Sequence, residues 1–284
     1  MRRRLRVELR RLRTAADLTQ REVAEALDWS PSKIIRIESG QVGITVTDLR
    51  ALVGHYGLSD ASELATLTDL AKGSKRQPFA EFRDVLSAET VKFHGYESSA
   101  SRIRQVQPSL VPGIVQTEEY TRALLSGYGR RAAAIDRVIA SRRERQELLE
   151  REPAPQLQFI LDEAIFWRQV GGPRVMHNQL QWLLELSRLP NIAVQVIPFS
   201  AGAYEALRGP FVILEFPEAT DPDVVYLEYS RGPSTFSDDE EVTAEYQERW
   251  VALEDLAAPA DGFEKFVERA QDSFLADKSS SDEG

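Results

Sequence analysis

Two helix-start signals stand close together near the beginning of this chain, and they constrain its fold more than any other feature. Thr19-Gln20-Arg21-Glu22 has the form of a capping box. In such a box the threonine hydroxyl accepts from a first-turn amide while the glutamate carboxylate reaches back to the cap amide. Val23, Ala24 and Leu27 then supply a buried stripe. After a three-residue break, Asp28-Trp29-Ser30, a second helix is announced by Ser30 as N-cap and by Pro31 at the first helical position. It is predicted to run from Pro31 to Glu38, with Ile34 and Ile37 inward, and to stop near Gly40.

The flanking segments extend the pattern. Leu5, Leu9, Leu12 and Ala16 recur at helical spacing, so residues 4–16 read as an amphipathic helix whose other face carries Arg6, Arg10 and Arg13. Thr45-Val46-Thr47-Asp48 caps a helix bearing Leu49, Leu52, Val53 and Tyr56, and Asp60-Ala61-Ser62-Glu63 opens another through about Leu70. The expectation for residues 1–72 is a bundle of five short helices, two of them joined by a very tight turn.

Charge separates this region from the rest. Residues 1–76 carry 14 Lys and Arg against 10 Asp and Glu, whereas the remainder carries 21 against 35, within a net charge of −10. A basic head on an acidic body suits a nucleic-acid-binding domain attached to a domain that does not bind it. There is no cysteine, and His55, His94 and His177 lack ligand spacing, so neither a disulfide nor a metal site is expected. No apolar run approaches the roughly 18 residues of a membrane helix. The basic start Met1-Arg2-Arg3-Arg4-Leu5-Arg6 is followed by charge rather than by an apolar segment. The expected location is cytoplasmic.

The run Leu18-Thr19-Gln20, Val23-Ala24, Leu27, Ser30, Lys33-Ile34, Arg36-Ile37-Glu38 and Gly40 closely resembles the helix-turn-helix of the phage repressor and Cro-like (XRE) family. That resemblance implies binding of double-stranded DNA, with the helix from Pro31 lying in the major groove. Its N-terminal residues Ser30, Pro31, Ser32 and Lys33, and Arg36 one turn on, would meet base edges or phosphate. Thr19, Gln20 and Arg21 would lie at a helix start that grips phosphate, Gln20 matching the family position. Arg2, Arg3, Arg4, Arg6 and Arg10 are candidates for sequence-independent phosphate contacts. Two positions depart from the family: Asp28 stands where a turn glycine is usual, and Ile35 where a small polar residue is common. Ile35 is expected either to pack on a thymine methyl or to be buried.

The remainder divides into a linker and connecting helix at 73–95, an α+β domain at 96–276 and a disordered tail at 277–284. Residues 71–80 combine Gly, Ser, Pro and charge, and Phe82 to Glu97 can form a helix. Helices are predicted from Thr117 to Leu125, Ala132 to Arg151, Val175 to Leu189, and over 239–257 and 262–275. Segments 157–161, 192–197, 211–216 and 224–229 are rich in β-branched and aromatic residues, which predicts a small sheet of about four strands. Pro112 through Tyr120, Leu161-Asp162-Glu163-Ala164 and Val194 through Phe199 followed by Gly209-Pro210-Phe211 resemble the bacterial domain family DUF5753. With the helix-turn-helix, the combination resembles the WhiJ-like regulators of development and secondary metabolism. The resemblance implies a small partner protein encoded nearby, and a homodimer is expected.

Catalysis is not expected. Asp162 and Glu163 sit at a strand end, where Asp162 can cap the next helix. Glu215 and Glu228 lie within apolar strands and could pair with Arg168 or Arg208. Gly171-Gly172-Pro173 is a helix break, not a phosphate loop, so no cofactor is expected. The loop Ala203-Tyr204-Glu205, between Gly202 and Gly209, either lines a pocket or merely connects strands. The functional expectation is a sequence-specific transcriptional regulator whose second domain mediates dimerisation, effector sensing or binding of a small partner. The alternative is an antitoxin-like protein with autoregulatory DNA binding; an enzyme ranks last.

Overall fold

A computed structural model describes residues 2–38, 43–74, 78–217, 222–229 and 234–281, with side chains at 2, 3, 73, 74 and 275–281 left out of the description. The expected helix stop at Gly40, the Lys75-Arg76-Gln77 part of the linker and the last three residues of the tail lie outside it. The chain divides into two compact units at Ala80 and Glu81.

The first unit is a bundle of α1 (Arg2–Ala15), α2 (Gln20–Ala26), α3 (Pro31–Glu38), α4 (Val46–His55) and α5 (Ala61–Ser74). Its core is aliphatic. Leu5, Leu9 and Leu12 of α1 meet Val23 and Ala24 of α2, Ile34 and Ile37 of α3, Leu49, Leu52 and Val53 of α4, and Leu67 of α5. Asp17 and Asp28 end α1 and α2 in the left-handed region, at φ 55° and 53°. In each turn the amide one residue further on bonds back across the helix end: Leu18 to the Arg13 carbonyl at 3.2 Å and Trp29 to that of Ala24 at 2.8 Å. These are Schellman turns, which close a helix while satisfying its last carbonyls. Aspartate tolerates the left-handed conformation better than most residues, so it stands in for glycine here.

In the second unit a six-stranded sheet runs in the order β3-β2-β1-β4-β5-β6. The strands are β1 (Arg102–Gln107), β2 (Gln156–Asp162), β3 (Ile192–Ile197), β4 (Phe211–Glu215), β5 (Val224–Leu227) and β6 (Thr235–Ser237). The first three are parallel and the last three join antiparallel. The expected four strands become six, and one of the two missed, β1, is central. Its sequence Arg-Ile-Arg-Gln-Val-Gln lacks the apolar run that marks the others. Arg102 and Arg104 pair with Glu215 of β4 at 3.1 and 3.0 Å, so a cross-strand ion pair replaces the Arg168 or Arg208 partner expected for Glu215. β6 has only three residues, too short to show a period.

Helices cover this sheet: α6 (Ala88–Glu97), α7 (Glu118–Gly127), α8 (Ala132–Gln146), α9 (Ala164–Trp167), α10 (Pro173–Ser187), α11 (Glu240–Leu256) and α12 (Phe263–Ser281). One core joins Ile103, Phe159 and Leu214 to Leu180 of α10 and Val267 of α12. Another joins Val106, Ile160 and Ile213 to Trp250 and Leu253 of α11. The single helix expected over 82–97 is a 3-10 turn at Ala80–Phe82 followed by α6, because Ser87 caps a new start by accepting from the Thr90 amide at 3.1 Å. α12 carries its backbone through Ser281, past the expected start of the tail, with no glycine or proline between Phe263 and that point to stop it. Among the described residues, no helix is long and apolar enough to cross a membrane.

Candidate nucleic-acid interface

The capping box forms as its residues dictate. Thr19 Oγ1 accepts from the Glu22 amide at 3.2 Å, and Glu22 Oε2 accepts from the Thr19 amide at 2.7 Å. The Thr19 amide, and after it the Thr19 hydroxyl, donate to Glu22 Oε2 and hold the Glu22 carboxyl below its ordinary range. With the Asp28 turn and Pro31 at the head of α3, the two helices are fixed end to start.

α3 has two contrasting sides. Inward, Ile34, Ile37 and Glu38 are buried. Outward, Pro31, Ser32 and Arg36 are exposed, and Ile35 is 47 % exposed. Of the two readings of Ile35, burial is excluded. An apolar and a cationic side chain therefore stand side by side on the exposed face of α3.

Behind that face lies a buried carboxylate. Glu38, fully buried, accepts from Arg13 Nε at 2.8 Å, Gln20 Nε2 at 2.8 Å and the Tyr56 hydroxyl at 3.3 Å. Residues of α1, α2 and α3 and the end of α4 therefore meet at one charge. The hydrogen bond to Glu38 raises the Arg13 guanidinium, and burial followed by Glu38 pushes the Tyr56 phenol up. Arg13 also donates to the Leu18 carbonyl at 2.6 Å, tying the hub to the turn before α2.

The structure sorts the remaining sequence-predicted contacts. Ser30 is exposed, its hydroxyl 3.2 Å from that of Ser32. Lys33 is partly exposed and paired with the next helix: its ammonium lies 3.1 Å from Asp48 of α4 and 3.5 Å from the Trp29 ring centroid. Gln20 spends its amide on Glu38. Thr19, Arg21, Arg4 and Arg10 are exposed, Arg21 in an i,i+4 pair with Glu25 at 3.0 Å. Arg6 is only 8 % exposed, which removes it from the phosphate-contact set. It is next to Leu5 and one heptad from Arg13, so both arginines border the core stripe instead of lying opposite it. The side chains of Arg2 and Arg3 lie outside the described residues. Sequence reasoning missed Glu38 and Tyr56, whose partners are distant along the chain.

In the second unit, Asp162 accepts from the Ala164 amide at 2.7 Å and from the Tyr204 hydroxyl, and Glu163 from the Phe199 amide at 2.9 Å. Both carboxylates hold the end of β2 to the following segments. Glu228 is exposed. Glu205, Ala206 and residues 208–211 line a recess of about 330 Å³ with Tyr246 and Arg249, where Arg249 and Glu205 pair at 3.6 Å.

A helix-turn-helix bundle with an open recognition face, followed by a separate α+β unit, defines a two-domain DNA-binding protein. The model of a helix-turn-helix domain matches residues 4–67, and that of a domain of unknown function, DUF5753, matches residues 90–269. The chain belongs to the DUF5753 family. No curated protein and no solved structure matches it.

Proposed function

We propose that the chain is a sequence-specific transcriptional regulator of the repressor and Cro type, binding an operator as a homodimer. The observation that supports it best is the division of α3. Its rear is locked by Ile34, Ile37 and the Glu38 hub, while Pro31, Ser32, Ile35 and Arg36 stand in solvent. In this reading Arg36 meets a guanine, Ile35 a thymine methyl, and Arg4, Arg10 and Arg21 the phosphates. Lys33 also positions α3 against α4 through Asp48. Gln20 likewise positions the start of α2. A dimer would place its half-sites about 34 Å apart.

The second unit serves dimerisation, effector sensing or the holding of a small partner protein. We assign it no catalytic step, since Asp162 and Glu163 both spend their oxygens on backbone and side-chain donors of the fold.

Fluorescence anisotropy of the full chain on its own upstream DNA and on random DNA, over a salt series, tests the reading. Binding should favour the upstream sequence and weaken as salt rises. Arg36→Ala should cost roughly 1–3 kcal/mol of affinity for the preferred sequence. Equal losses on both DNAs would make Arg36 a phosphate contact, and equal binding of the unaltered chain to both would overturn sequence specificity.

A further inference from the structure

The second unit holds a cavity of about 340 Å³ between α6, α8 and the sheet, within the size range of small-molecule sites. Phe93, Val138 and Tyr226 give it an apolar wall, the Phe93 and Tyr226 rings stacking at 4.3 Å. Gln105, Ser141 and Arg142 bring polar groups to the same space.

Two of these polar groups are unusual. Gln105, on central strand β1, is 5 % exposed, and its Oε1 has no hydrogen-bond partner among the described residues. Ser141 is fully buried, and its Oγ has none either. Buried polar atoms in folded proteins are almost always hydrogen-bonded. Two exceptions lining one cavity point to a ligand as their partner.

Charge narrows the class of ligand. Arg145 is buried and used up by a bidentate pair with Glu97. Arg142 has no such counterion: it donates to the neutral Gln116 Oε1 and Thr121 Oγ1, and among the described residues no carboxylate lies within ion-pair distance. Burial, with repulsion from Arg145, lowers its pKa to about 10, which still leaves it cationic at neutral pH. Burial holds His94, on the same wall, far below its ordinary value and therefore neutral. Glu228, Tyr128 and Arg130 are the exposed groups of the lining. Glu228 attracts Arg142 across the cavity but makes no ion pair with it among the described residues, so the guanidinium fork stays available to a carboxylate.

We propose that this cavity binds a small ring-bearing carboxylate, with the acid on Arg142 and Ser141 and a hydroxyl or N–H of its body donating to Gln105 Oε1. The site stands on the second unit's own geometry. Only its role as an effector site rests on the regulator reading.

The test is calorimetry on the full chain with benzoate and 4-hydroxybenzoate, against the neutral benzamide and 4-hydroxybenzamide. Each acid should bind at least about tenfold tighter than its amide, the loss expected for a charge-assisted hydrogen bond. Arg142→Met should erase that preference, Ser141→Val should weaken the acids, and Gln105→Leu should remove the advantage of the 4-hydroxyl group alone. Circular dichroism verifies that each variant is folded. Absence of saturable binding by both acids, equal binding of acid and amide, or a preference unchanged in Arg142→Met overturns the site. Operator anisotropy with and without 4-hydroxybenzoate separates the two readings. Acid binding that leaves DNA affinity unchanged overturns the effector role but keeps the site, whereas loss of DNA specificity without acid bears on the regulator reading alone.

Discussion

Gln20, half-buried in the first unit, and Gln105, buried in the second, are the same residue type facing an interior, yet they are treated in opposite ways. The Gln20 amide completes a hub in which one buried carboxylate is met by three donors from separate elements. The Gln105 carbonyl oxygen is buried and left over. A saturated network fixes one arrangement of helices and has no capacity for anything else. An unsaturated one raises the free energy of the empty fold and returns it to whatever supplies the missing bond. Under the proposed function the first unit meets its ligand at its surface, while the second has the chemistry to hold one inside.

The largest expected effect tests the saturated side. Glu38→Ala strips the partner from Arg13, Gln20 and Tyr56 together and should destabilise the first unit by about 3–5 kcal/mol, the cost of breaking a buried pair. Urea unfolding, with hydrogen exchange to localise the loss to α1–α4, measures it. A change below about 1 kcal/mol would show that the hub is not what holds α3 in place. The second unit offers a parallel in Glu97 and Arg145, both buried. Glu97→Ala should cost a similar amount, whereas replacing both residues by methionine should come out near neutral.

The sharpest test of the comparison is a difference of sign. Gln20→Leu takes a donor from a buried carboxylate and should destabilise by about 1.5 kcal/mol, in the range for hydrogen bonds to charged groups. Gln105→Leu removes a buried acceptor that has no partner among the described residues and should stabilise the ligand-free protein by about 1 kcal/mol. Thermal melts of the two variants beside the unaltered chain give both values. Two losses of equal size would erase the distinction between the units.

The first unit was almost fully legible in the sequence because its information is local. The capping box, Pro31 at the head of α3 and the left-handed turn at Asp28 each lie within a few residues of the structure they specify. Arg6 was misplaced because a basic residue at the edge of an apolar stripe looks the same as one on the solvent face until its neighbours are known. The second unit was less legible because its centre is built from distant partners. β1 is a polar-alternating strand whose arginines find Glu215 more than a hundred residues on. The cavity did leave a trace: Val138, Ser141, Arg142 and Arg145 share one helical stripe of α8, and that stripe turns from apolar to polar where a core helix should not. Only the sheet and α6 behind it turn that anomaly into a site.

The smallest expected effect falls on that stripe. Ser141→Ala deletes a fully buried hydroxyl with no hydrogen-bond partner among the described residues and puts the best helix former in the middle of α8. Both changes favour the ligand-free fold, so the melting temperature should rise, by an amount corresponding to about 0.5–1 kcal/mol. Tyr56→Phe in the first unit removes a hydroxyl of comparable burial that does have a partner, and should lose about 1 kcal/mol. If Ser141→Ala instead lowers the melting temperature, the hydroxyl is bonded in solution and the unsaturated character of the cavity rests on Gln105 alone. If it raises the melting temperature while weakening the acids, the second unit has kept a less stable interior in exchange for a site.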